Sequence, residues 1–110
     1  MLINPGLNFN SGTVRINALF QDASEVAVDP TTVTFRTYSP SGSQASYEYG
    51  TDAEVVKVET GVYYAEISPD AAGRWYYRWE TTSPVIADEG DFIVQRSPFF
   101  DGMQDAYRLP

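Results

Sequence analysis

The densest cluster of side chains with chemical potential is Asp88-Glu89-Gly90-Asp91. Calcium takes about six to eight oxygen ligands, and a turn carrying three carboxylates could supply some of them. The spacing does not match the twelve-residue calcium loop, so the plain alternative is a solvated loop at a strand entrance. A second constellation is Trp75, Tyr77 and Trp79. Alternating aromatics offer flat faces for sugar rings, but strict alternation beside Tyr63 and Ile67 reads as core. Buried indoles would then need backbone acceptors for their N–H groups. A third candidate is Arg78, on the opposite face of that strand. Arginine is enriched at binding hot spots, which makes Arg78 a possible interface anchor. The competing reading is a cross-strand ion pair with Glu66 or with neighbours of Glu80.

What is missing from the sequence narrows the chemistry. The chain has no Cys and no His. Thiolate nucleophiles, Ser-His-Asp triads and Cys or His metal sites are excluded on that basis. No GxxxxGK[ST] or GxGxxG loop is present to cradle phosphates. Fifteen acids allow a glycosidase carboxylate pair on paper, but nothing in the sequence places two of them in one cleft. The expectation is a protein without catalytic residues, cofactor or metal, and so not an enzyme.

The elements that position these residues are short and alternating. Val14, Ile16, Ala18 and Phe20 share one face of a strand over Thr13–Phe20. The Asp29-Pro30 break opens a second strand, Thr32–Tyr38, with Val33 and Phe35 inward. Pro40-Ser41-Gly42-Ser43 has turn chemistry, since Pro fixes φ and Gly accepts positive φ. Strands over Gln44–Tyr49 and Glu54–Val58 follow. Glu59-Thr60-Gly61 then turns the chain into Val62–Ser68, with Tyr63, Ala65 and Ile67 inward. Pro69 to Gly73 connects to Arg74–Thr81, the aromatic strand, and a last strand covers Gly90–Gln95. Seven short strands with turns every 8–12 residues predict an all-β, immunoglobulin-like two-sheet sandwich, with a small barrel as the alternative.

Three segments result: an irregular N-terminal arm at 1–12, the sandwich at 13–96 and a C-terminal tail at 97–110. The tail carries Phe99, Phe100, Met103, Tyr107 and Leu109, more apolar bulk than disordered tails usually hold. It could form a helical turn over Asp101–Tyr107. Three readings are open: its aromatics fold back over an open end of the sandwich, they dock into a neighbouring subunit, or the tail is simply disordered. Met1 to Gly6 lack the positive start and apolar run of a signal peptide, pointing to a cytoplasmic origin. No run of 18 apolar residues predicts a membrane span. The net charge of −8, with six Arg and one Lys, disfavours direct nucleic-acid binding.

Four stretches resemble small immunoglobulin-like virion proteins of tailed bacteriophages. They are Asp29-Pro30-Thr31-Thr32-Val33-Thr34-Phe35, Thr60-Gly61-Val62-Tyr63-Tyr64, Gly73-Arg74-Trp75-Tyr76-Tyr77-Arg78-Trp79-Glu80 and Glu89-Gly90-Asp91-Phe92-Ile93-Val94. The resemblance covers about residues 13–96 and rests on the order of these pieces. It implies a structural virion protein that acts by protein–protein assembly, as a head–tail neck (connector or completion) component or a capsid decoration protein. It supplies no catalytic residues. The implied partners are connector, tail or major capsid proteins and further copies of the chain, in a particle made in the host cytoplasm. Both terminal segments lie outside the shared pattern and are expected to bridge subunits. A carbohydrate- or cell-surface-binding module is the competing reading. It requires Tyr38, Tyr47, Tyr49, Tyr64 and Tyr76 to face outward together.

Overall fold

A computed structural model describes residues 13–95 and the backbone of two short N-terminal strands, β1 (Leu2–Ile3) and β2 (Gly6–Leu7). These two pair antiparallel with each other, a short ladder inside the stretch expected to be an irregular arm. Seven strands build the sandwich: β3 (Val14–Leu19), β4 (Thr32–Tyr38), β5 (Gln44–Glu48), β6 (Val55–Glu59), β7 (Val62–Ile67), β8 (Gly73–Thr82) and β9 (Ile86–Val94). One sheet has the order β3-β7-β6 and the other β5-β4-β8-β9, with every pairing antiparallel. The expected two-sheet sandwich is therefore the fold.

The order has a further meaning. An immunoglobulin sandwich sets strands A-B-E-D against C′-C-F-G. Here β3 pairs with β7 and not with β4. The first sandwich strand thus occupies the B position, and among the described strands nothing stands at A.

Alternation along each strand decides which face is buried. Val33, Phe35, Thr37, Trp75 and Trp79 point inward from the larger sheet; Val14, Val55, Tyr63, Ala65 and Ile67 point inward from the smaller. Phe20 packs against Tyr63 and Trp79, with ring centroids at 5.5 and 5.9 Å, and Phe35 lies 4.7 Å from Trp79. The aromatic strand is core, as its alternation predicts. Its two indoles differ, however. Trp75 donates its Nε1–H to the Ala71 carbonyl at 3.0 Å, closing the β7–β8 corner. Trp79 is 1% exposed and its Nε1–H finds no protein acceptor among the described residues.

The β3–β4 connection is latched to the β6–β7 turn by one carboxylate. Asp29 accepts from Lys57 Nζ at 2.6 Å, Gly61 N–H at 2.8 Å and Tyr63 Oη at 3.3 Å. Gly61 itself has φ +77°, and a Cβ there would sit 2.8 Å from the Phe20 carbonyl oxygen. Only glycine fits a turn pressed this closely against the neighbouring chain.

The last strand begins earlier than its sequence suggests. It was expected at Gly90, yet β9 starts at Ile86. The β8–β9 ladder runs in continuous register from Thr81↔Ile86 to Gly73↔Val94, so Asp88-Glu89-Gly90-Asp91 is strand rather than loop. The side chains explain this placement: Glu89 and Asp91 stand where β8 presents Arg78 and Arg74.

Candidate protein interface

The outward side of the four-stranded sheet gathers the residues most suited to recognition. Register places Tyr38 beside Tyr76, Arg36 beside Arg78 and Thr34 beside Glu80 across β4 and β8. Across β8 and β9 it places Tyr76 beside Asp91 and Arg78 beside Glu89. Paired residues share a face, because side chains alternate with period two. The two tyrosine rings lie 6.3 Å apart, and each residue is nearly half exposed. They border a shallow groove that Arg36, Gln44, Arg78 and Glu89 also line.

Arg36 and Arg78 stand directly opposite each other, an arrangement that is repulsive on its own. Glu80 relieves it by accepting from Arg36 Nε at 3.0 Å and from Arg78 Nε at 2.6 Å. Arg78 also gives Nη1 to Glu89 at 2.6 Å. Arg78 and then Arg36 hold the Glu80 carboxyl below its ordinary range, and the two carboxylates raise the Arg78 guanidinium. Exposed pairs of this kind contribute little to folding. What they provide is orientation: a guanidinium bonded to two carboxylates has fewer rotamers open to it than a free arginine.

Of the two partners considered for Arg78, Glu66 is excluded. It belongs to the other sheet and accepts from Arg15 Nε at 2.8 Å. The alternative near Glu80 describes the actual contact.

The acid cluster is divided by the same alternation. Glu89 and Asp91 point outward to arginines, while Asp88 lies opposite Trp79 on the other side of the strand. Among the described residues no group of three or more Asp or Glu is arranged to hold a metal ion. The tyrosines are divided too. Tyr38 and Tyr76 share one face. Tyr47 packs against the core, Tyr49 meets Tyr63 edge to face at 5.4 Å, and Tyr64 lies under Arg15 on the other sheet. They do not form one strip. Phe99, Phe100, Met103, Tyr107 and Leu109 lie outside the described residues.

Sequence reasoning missed the pairing of Tyr38 with Tyr76 and of Arg36 with Glu80, both of which depend on the β4–β8 register. It also missed Asp29, which was read only as part of a strand break. The signal there was an Asp before Pro upstream of a tight Thr-Gly turn, and it identifies no partner. The chain matches no protein-family model, no curated protein and no solved structure.

Proposed function

We propose that this domain is a structural protein of a tailed-bacteriophage particle, acting through protein–protein assembly at the head–tail neck. The observation that carries the assembly role is the outward face of the four-stranded sheet. Two half-exposed, mutually paired tyrosines lie beside an arginine that donates to both Glu80 and Glu89. Tyr and Arg are the residue types enriched where proteins bind each other, and a rigid pair loses little entropy on docking. The phage setting is supported by the ordered strand motifs from Asp29 to Val94. The partners on this reading are connector, tail or major capsid proteins, with further copies of the chain in the same particle.

Electron cryomicroscopy of purified particles of the encoding phage tests this reading. The expected result is density for the sandwich at the neck, with Tyr38, Tyr76 and Arg78 against a neighbour. Density on the capsid faces would replace the neck assignment with decoration. Particles that lack the chain would overturn the virion role. Tyr76→Ala combined with Arg78→Ala should fold normally and fail to enter particles.

A further inference from the structure

The four outer strands of the sandwich are not equally defended against pairing. An edge strand exposes unpaired N–H and C=O groups, and proteins usually blunt it with charge, a bulge or a local cap. On β6 the register shifts between Lys57 and Glu59, which breaks the regularity of that edge. On β9 the edge carries Asp88, Glu89 and Asp91. On β5 the bond from Tyr49 N–H to the Val33 carbonyl sets the ladder phase, which turns the Glu48 N–H to the free side. There the Asp52 carboxylate already accepts it at 2.8 Å.

Among the described residues β3 carries neither a bulge nor a cap. Its sequence is Val-Arg-Ile-Asn-Ala-Leu, without Pro, Gly or bulge. Its single charge, Arg15, is occupied by Glu66 and stacks over Tyr64 at 3.9 Å. Phe20 N–H bonds to the Gly61 carbonyl, so the hydrogen-bonded pairs with β7 fall on Val14, Ile16, Ala18 and Phe20. The N–H and C=O groups of Arg15, Asn17 and Leu19 therefore point to the open side. This is also the side on which an immunoglobulin sandwich carries strand A.

We infer that β3 is a self-pairing edge whose partner is β3 of a second copy, antiparallel about a two-fold axis at Asn17. The geometry is self-complementary. Centring on Asn17 pairs Asn17 with its own counterpart and Arg15 with Leu19 of the second copy, so no like charges oppose. Three donors and three acceptors from each copy are all used. On the inner face Ile16 meets the small Ala18 of the other copy. Both are half-buried residues at the margin of the core, and pairing covers them. Outside, Leu19 is 57% exposed and would lie along the stem of the opposing Arg15. Two copies of charge −8 repel overall, but the Debye length of about 8 Å at physiological salt limits that to nearby groups. The inference does not depend on the virion reading.

Sedimentation of the full chain up to about 100 μM, combined with amide exchange, tests it, since small interfaces are weak. A dimer is expected, with the Arg15, Asn17 and Leu19 amides gaining protection as concentration rises. Asn17→Lys sets two positive charges face to face and should raise the dissociation constant at least about tenfold. Asn17→Pro should do the same, because that N–H makes no bond to β7 and Pro is tolerated on an open edge. Both variants should keep the wild-type circular dichroism spectrum, and Asn17→Lys carries the test if Asn17→Pro unfolds. Three outcomes overturn the inference. One is a monomer whose three amides exchange freely. Another is a monomer in which they are protected, which would assign the edge to the chain's own terminal segments. The third is a dimer that Asn17→Lys leaves intact.

Discussion

Trp75 and Trp79 stand four residues apart on the same strand and face, so Trp→Phe at each removes the same atoms from a buried site. Counting apolar contact alone makes Trp79→Phe the worse change, because Trp79 is 1% exposed and Trp75 is 7% exposed. The lost carbons cost about 1–2 kcal/mol at either site. The polar terms have opposite signs. Trp75→Phe removes the bond to the Ala71 carbonyl, adding about 0.5–1.5 kcal/mol of destabilisation. Trp79→Phe removes a buried N–H that has no acceptor among the described residues, returning about 1–3 kcal/mol. Trp79→Phe should therefore lie within about 1 kcal/mol of wild type, and Trp75→Phe should be the less stable by about 2 kcal/mol. For a domain of this size that separates the melting temperatures by roughly 8–16 °C. Urea unfolding followed by circular dichroism, with equal slopes in denaturant, reads the difference. If Trp79→Phe costs as much as Trp75→Phe or more, the indole N–H of Trp79 has a partner and the reasoning fails.

Other predictions concern the edges and turns. The Tyr77 ring lies across Gly90, where a Cβ would collide with the phenol oxygen. Gly90→Ala should therefore cost about 1–3 kcal/mol by forcing the ring off its site, and the cost should shrink in a Tyr77→Ala background, as a double-mutant cycle would show. Gly61→Ala should cost at least about 1–2 kcal/mol in equilibrium unfolding, because φ +77° strains any L side chain and the new methyl meets the Phe20 carbonyl. Lys57, then the Gly61 N–H, holds the Asp29 carboxyl below its ordinary value of 3.8. A depressed carboxylate stabilises the fold above its unfolded pKa and loses that contribution as pH falls through the lower folded value. Acid unfolding of wild type should accordingly lose stability below about pH 4, and Asp29→Asn should flatten that part of the profile. An unchanged acid limb would show that the latch contributes nothing.

The fold was legible because its signals are local. Val14, Ile16, Ala18 and Phe20 fall on one face by period two, and β4 occupies the residues its pattern marks. The strand that was misplaced is β9. Asp88, Glu89 and Gly90 are poor strand formers, so propensity places a loop there. Two cross-strand arginines and a tyrosine ring covering the glycine override it. The candidate interface was less legible, because it depends on register. Arg78 was identified as a residue, but Glu66 and Glu89 are equally good acids on paper. The β8–β9 ladder brings Glu89 alongside Arg78, while the β3–β7 register assigns Glu66 to Arg15. A carboxylate such as Asp29, which joins residues 28, 32 and 34 positions away, leaves no periodic trace at all.

The two proposed surfaces lie on different sheets, and this has a consequence for assembly. The Tyr38–Tyr76 face belongs to β4 and β8, while the open edge belongs to β3 in the opposite layer. Sheets in a sandwich pack about 10 Å apart, so pairing at the β3 edge leaves the tyrosine face of each copy open. A two-fold pair would then present two identical faces held at a fixed separation. Each face alone is small, and its Arg–Glu network is solvent-exposed, so a single docking event would be weak. Two faces on one rigid pair engage a symmetric partner with a high effective concentration for the second contact, which can strengthen binding by about 10²–10⁴ without any new interaction. Asn17→Lys, which touches no residue of the tyrosine face, should thus weaken capture by a multisubunit ring far more than capture by an isolated partner subunit. Equal losses against both would mean that the edge and the face do not act as separate surfaces.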